Sequence, residues 1–148
     1  MLEVEPRRAH APRKALEAAP LLPGAQTAAP EEIPAEVERL LALVADESLA
    51  LEARGAAAYF AHGAIHPFRD GNGHCGRMLS CAMLAGAYSS ATLLALTARL
   101  QGNRPEVGNE IRATVDGRKD AERFCRLFLD LLAQGQRDVL TAIRSGAE

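Results

Sequence analysis

Cysteine is scarce in this chain, and its scarcity is the first thing to narrow the possibilities. Cys75, Cys81 and Cys125 are the 3 cysteines among 148 residues, an odd count without paired spacing. Such thiols fit a reducing compartment and do not make a disulfide framework. An excess of positive charge is also missing. The formal net charge is −2, so nucleic acid and anionic membranes find no general electrostatic attraction here. No apolar run approaches the ~20 residues of a membrane span, because charges interrupt every leucine-rich stretch. The opening MLEVEPRRAHAPRK has no apolar stretch behind its basic residues. No secretory signal is therefore expected, and the cytoplasm is the expected location. β-branched residues are few and never alternate over the length of a strand, which argues against a sheet.

What is present suits one globular domain: 48% of residues are hydrophobic and 24% charged. Residues 1–29 are rich in proline, alanine and charge without a sustained period. They read as flexible or poorly ordered, with one short helix near RKALEA. Residues 30–146 read as the domain, and its fold class as all-α. In PEEIPAEVERLLALVADE, Ile33, Val37, Leu40, Leu41 and Val44 fall at helical spacing behind acidic residues of the first turn. Asp46 or Ser48 is placed to cap a second helix, SLALEARGAAAYFAHGAI, whose small residues suit a crowded central position. His66 precedes proline, which ends that helix. A third helix follows in GHCGRMLSCAMLAGAY, and Ser89 or Ser90 caps a fourth in SATLLALTARL. NRPEVGNEIRATVDGRKD reads as a shorter helix between turns. Asp120 caps a long last one, with Phe124, Leu127, Phe128, Leu131 and Leu132 on its apolar face.

Between the second and third helices lies HPFRDGNGHCGR, residues 66–77. A glycine turn opening a helix brings together unpaired backbone N–H groups and the positive end of the helix dipole, which suits a phosphate. Gly71 and Gly73 let the backbone approach an anion closely, and Asn72 adds an amide donor. Asp70 could hold Mg²⁺, which favours a carboxylate together with phosphate oxygens. His74 and Arg77, three residues apart, share a face of the first turns, and Arg77 offers forked donors to a distal phosphate. His66 at the mouth of the turn is placed to take a proton from an attacking hydroxyl. Positioning, charge neutralisation and a base are the needs of group transfer from a nucleotide. Each part has a plainer counterpart: a simple turn, a packing histidine, an Asx turn at Asp70, a solvated Arg77. Their conjunction within twelve residues favours the chemical reading, with Phe68 as a core anchor of the loop. An EF-hand fails, because the fifth, sixth and twelfth positions from Asp70 hold His74, Cys75 and Cys81. Zinc on some of His62, His66, His74, Cys75 and Cys81 is the weaker alternative, lacking a CxxC or HExxH pattern.

These residues closely resemble the signature of Fic domains, His-x-Phe-x-(Asp/Glu)-Gly-Asn-Gly-Arg-x-x-Arg. His66, Phe68, Asp70, Gly71, Asn72, Gly73 and Arg77 match, Pro67 is usual for the family, and weaker likeness extends over roughly residues 28 to 135. The resemblance implies an all-α protein adenylyltransferase that moves AMP from ATP to a Ser, Thr or Tyr hydroxyl of a target protein. It implies that His66 deprotonates that hydroxyl, that Asp70 holds Mg²⁺, that Gly71, Asn72 and Gly73 form the anion loop, and that Arg77 meets the terminal phosphate. His74 stands where the motif has its first arginine, a phosphate ligand. Imidazole is shorter and makes no bidentate contact, a loss of about 1.5–3 kcal/mol for a charge-assisted bond. That leaves room for a different phosphate-containing donor, or for a degenerate domain that binds without turnover. The β-hairpin flap that docks targets in the family has no counterpart in strand-like alternation here. Ser48 to Ala53, SLALEA, resembles the family's inhibitory motif except at its last residue, but it lies on the helix immediately before the signature, the wrong place, and counts as coincidence. An inhibitor would be a separate chain, or there is none. Self-association is common in such domains, so a homo-oligomer is a further expectation.

Overall fold

The computed structural model describes residues 28–146. The expectations for residues 1–27, including the short helix near RKALEA, lie outside the described residues. Six helices make up the domain: α1 (Ile33–Ala45), α2 (Leu51–Ile65), α3 (Asn72–Leu84), α4 (Ser90–Gly102), α5 (Arg104–Val115) and α6 (Ala121–Ser145). Among the described residues there is no strand element, and the all-α reading holds.

α2 is the axis. It packs against α1, α3, α5 and α6, and its composition explains how. Ala56 and Ala58 are fully buried, and a Cβ added at Gly55 would meet the Leu84 side chain at 3.2 Å. Helices lacking bulk on both sides approach closely enough for backbone and side chain to touch across the seam. Ser80, fully buried on α3, donates its hydroxyl hydrogen bond to the carbonyl of Gly55 on α2. The main core gathers Tyr59, Leu84, Leu96, Ile111, Phe124, Phe128 and their neighbours, and a smaller cluster joins α1 to α2 through Ile33, Leu40, Ala58 and Ile65. The few aromatic residues concentrate here: Tyr59 stacks on Phe124 with ring centres 6.1 Å apart.

Several helix ends follow the expected chemistry. Ser89 accepts from the N–H of Thr92 and so caps α4, and Asp120 accepts from Glu122 and caps α6. α2 differs. Its N-cap is Ala50, with no side-chain cap bond. Asp46 accepts instead from the backbone and hydroxyl of Ser48, at 3.0 and 2.6 Å, so the two candidate caps close a turn on each other. Leu41 is another correction. It is 56% exposed while Ile33 and Leu40 are buried, because α1 packs mainly on α2 and buries a narrow stripe. α3 ends at Leu84, four residues before Tyr88, where Ala87 and Tyr88 both donate to the Leu84 carbonyl and turn the chain.

Candidate functional site

The C-terminus of α2 and the N-terminus of α3 converge on residues 66–72. His66 is the C-cap of α2, with φ 50° and ψ 57°, and its N–H closes the last helical bond to His62 at 2.9 Å. This left-handed turn throws the chain away from the helix axis, and Pro67 follows it, buried. Gly71, at φ 82°, is the N-cap of α3 and makes the second left-handed turn, a conformation that suits a residue without Cβ. The N–H groups of Asn72, Gly73 and His74 belong to the first turn of α3 and have no intrahelical acceptors, while Cys75 is the first to bond back, to Gly71. Three donors and a helix dipole thus meet beside His66.

Asn72 plays a different part from the one its amide suggested. Its side chain is buried, with Nδ2 donating to the Phe68 carbonyl at 2.7 Å and Oδ1 accepting from the Phe68 N–H at 3.0 Å. Both backbone groups of Phe68 are satisfied by one side chain, so the Asn72 amide shapes the loop, and its backbone N–H is the donor that opens α3. Phe68 anchors the loop as expected, its ring 5.9 Å from that of His62. His62 is buried, its Nε2 lacks a hydrogen-bond partner among the described residues, and burial holds its pKa below the usual imidazole value.

Arg77 is 8% exposed, and no carboxylate pairs with it among the described residues. Its guanidinium lies beside Tyr59, where burial pushes the phenol's pKa up and the cation opposes that. A Cβ at Gly73 would come within 3.3 Å of Arg77 Nη1, so the small residue leaves the guanidinium its place. Desolvating a cation without a counter-ion is costly, and an anion drawn into the site would relieve it.

These groups border one open cleft of about 320 Å³, lined by His66, Asp70, Gly71, Gly73, His74 and Arg77 and also by Arg69, Gln101 and Arg104. A narrower recess of about 100 Å³ runs beneath it, past Tyr59, Gly63 and Gly76 to Ile111. All the residues expected at the site are therefore brought together. His74 and Asp70 are exposed at its rim. Asp70 Oδ1 accepts from the Gly71 N–H at 2.7 Å, the local turn contact of an Asx residue. A single exposed carboxylate facing an anion-binding helix start fits Mg²⁺, which completes its shell with water and phosphate oxygens. Zinc finds less: among the described residues no group of three or more His, Cys, Asp and Glu side chains could hold an ion. Cys81 Sγ instead lies 3.5 Å from Thr97 Oγ1 on α4.

Sequence reading missed Tyr59, Gln101 and Arg104. Tyr59 lies in the crowded helix before the motif and is not part of it, and Arg104 is separated from the motif by all of α4. The one available signal was Arg104-Pro105 at a helix start, which marks an end of α5 but not where that end points. The SLALEA glutamate, Glu52, accepts a hydrogen bond from the Tyr88 hydroxyl at 2.6 Å. That bond lowers the Glu52 pKa and pushes Tyr88 up to about 12. Glu52 is tied to the α3–α4 turn and borders neither recess.

No helix among the described residues is long and apolar enough to cross a membrane. Neither the curated proteins nor the solved structures supply a match. A sequence model of the Fic/DOC family matches residues 10–84, half of the chain, and that span contains α1, α2, the loop and α3. The protein therefore belongs to the Fic/DOC family.

Proposed function

We propose that this protein is a Fic-type transferase that moves AMP from ATP to a Ser, Thr or Tyr hydroxyl of a target protein. The observation that carries the proposal is the buried, carboxylate-free Arg77 set beside the open first turn of α3, with His66 at the same cleft. In this reading the N–H groups of Asn72, Gly73 and His74 hold the phosphate chain, and Arg77 receives the terminal phosphate with forked donors. Asp70 would hold Mg²⁺, which when bound offsets the charge of the phosphates. His66 accepts the proton of the target hydroxyl as that oxygen bonds to the α-phosphorus. The bond from the α-phosphorus to the bridging oxygen breaks, and pyrophosphate leaves with its electron pair.

Arg77 would also be the residue that a carboxylate on a separate inhibitory chain blocks, since no carboxylate among the described residues does so. A second reading, binding without turnover, is favoured by His74 in place of the motif's first arginine. Incubation with labelled ATP and Mg²⁺ separates the two. The wild type is expected to label itself or an added target, and His66→Ala to lose labelling by at least 10²-fold, the scale of general-base catalysis. Nucleotide binding with no label in the wild type or in His74→Arg would refute the transferase reading. Label in His74→Arg alone would assign the natural protein to another phosphate-containing donor.

A further inference from the structure

Five arginines of the described surface are tied to acids: Arg39 to Glu36, Arg99 to Asp138, Arg118 to Asp116, Arg123 to Glu110 and Arg126 to Glu122. Arg77 and Arg104 have no such partner among the described residues, and they line the same two recesses, the open cleft and the narrow one beneath it. Arg77 comes from α3 and Arg104 from the first turn of α5, which Asn103 joins directly to the end of α4. Arg104 also acts electrostatically on Tyr59, the residue beside the Arg77 guanidinium. Among the described residues Asp70 is the only carboxylate bordering the cleft. Arg69 of the loop also borders the open cleft and has an interaction of its own, while Arg77, over nine-tenths buried, and Arg104 bring positive charge from two helices far apart in sequence.

A polyphosphate chain carries several negative charges, and a cation beyond Arg77 and a Mg²⁺ at Asp70 adds to their compensation. His74, exposed at the rim, offers a short and ordinarily uncharged donor in the place of a cation. We propose that Arg104 is the second phosphate-binding cation of the site and compensates for histidine at position 74. This rests on the nucleotide-dependent reading given above. Arginine suits the role because its planar fork grips phosphate oxygens from a distance that imidazole cannot span. It also makes donor recognition depend on the position of α5, which packs on α2 and α6.

Calorimetric titration of the full-length protein with ATP, inorganic pyrophosphate and adenosine tests it, using wild type, Arg104→Ala, His74→Arg and the double variant. Arg104 is exposed, and alanine favours the helix, so the variant keeps its fold. Arg104→Ala is expected to weaken ATP and pyrophosphate about tenfold or more, the value of a charge-assisted bond, and to leave adenosine unchanged. Adding His74→Arg should restore most of the lost affinity. Equal ATP and pyrophosphate affinities in wild type and Arg104→Ala would overturn the inference while leaving the transferase reading intact. An equal loss for adenosine, or a double variant no better than Arg104→Ala, would overturn it too. If the wild type binds neither ATP nor pyrophosphate, the inference and the reading beneath it fall together.

Discussion

His66 is the one non-glycine residue in the left-handed region among the described residues. For an L-residue that backbone costs about 1–2 kcal/mol, because Cβ crowds the following carbonyl. Backbone geometry alone favours glycine at that point. Two variants that both lack the imidazole expose the cost. His66→Gly is expected to be more stable than His66→Ala by about 1 kcal/mol in urea unfolding, with both inactive. Equal stabilities would show the turn to be unstrained. At this scale the sequence was informative where residues are contiguous. The spacing from His66 to Arg77 placed imidazole, carboxylate, glycines and guanidinium on one cleft without any knowledge of the fold. It misled on Asn72, whose amide looked like a ligand donor but closes on Phe68. A side chain's partner four residues away competes with a partner from solvent, and only the turn geometry decides between them.

Helices meet here through small residues. At the α4–α6 crossing, a Cβ on Gly135 would lie 3.1 Å from the backbone nitrogen of Leu96 and 3.3 Å from the carbonyl carbon of Ala95. Backbone cannot move aside as a flexible side chain can. Gly135→Ala is therefore expected to destabilise by about 1–3 kcal/mol, outweighing the roughly 1 kcal/mol that alanine contributes to helix propensity. Gly102, with nothing within 4 Å of its added Cβ, provides the opposite sign. Gly102→Ala should be neutral or stabilising, and denaturant midpoints of the pair measure both. The Arg99–Asp138 pair, bidentate at 2.7 and 2.8 Å, fastens the same two helices nearer the surface. Periodicity revealed the elements themselves, because the apolar stripe of α6 and the caps Ser89 and Asp120 are local features. Leu41 and the Asp46–Ser48 turn escaped it. How wide a stripe α1 buries depends on how many neighbours it has, which no local pattern encodes.

For the molecule as a whole, His62 links the site to acid stability. Burial lowers its pKa from 6.5, so the folded state holds it neutral. As pH falls below the unfolded value the denatured chain takes up the proton first, and stability declines until pH passes the folded value. The wild type is thus expected to lose stability between pH 7 and the region below 6.5, and His62→Phe to lose less over that interval. Chemical denaturation at several pH values checks this, and identical slopes in the two proteins would count against it. Arg104 belongs to this scale as well: its approach to Arg77 is made by the packing of α5 on α2 and α6. That is why a motif of twelve contiguous residues could not contain it.

The shared use of α2 has one more consequence. Its residues enter both hydrophobic clusters, Ala58 and Ile65 the one with α1, Ala56 and Tyr59 the one with α6. Fraying from either side leaves the other holding the helix, so the end that carries His66 has no private route to opening. His66 then sits on the helix that both clusters hold, and local opening of its end is coupled to loss of packing on both sides.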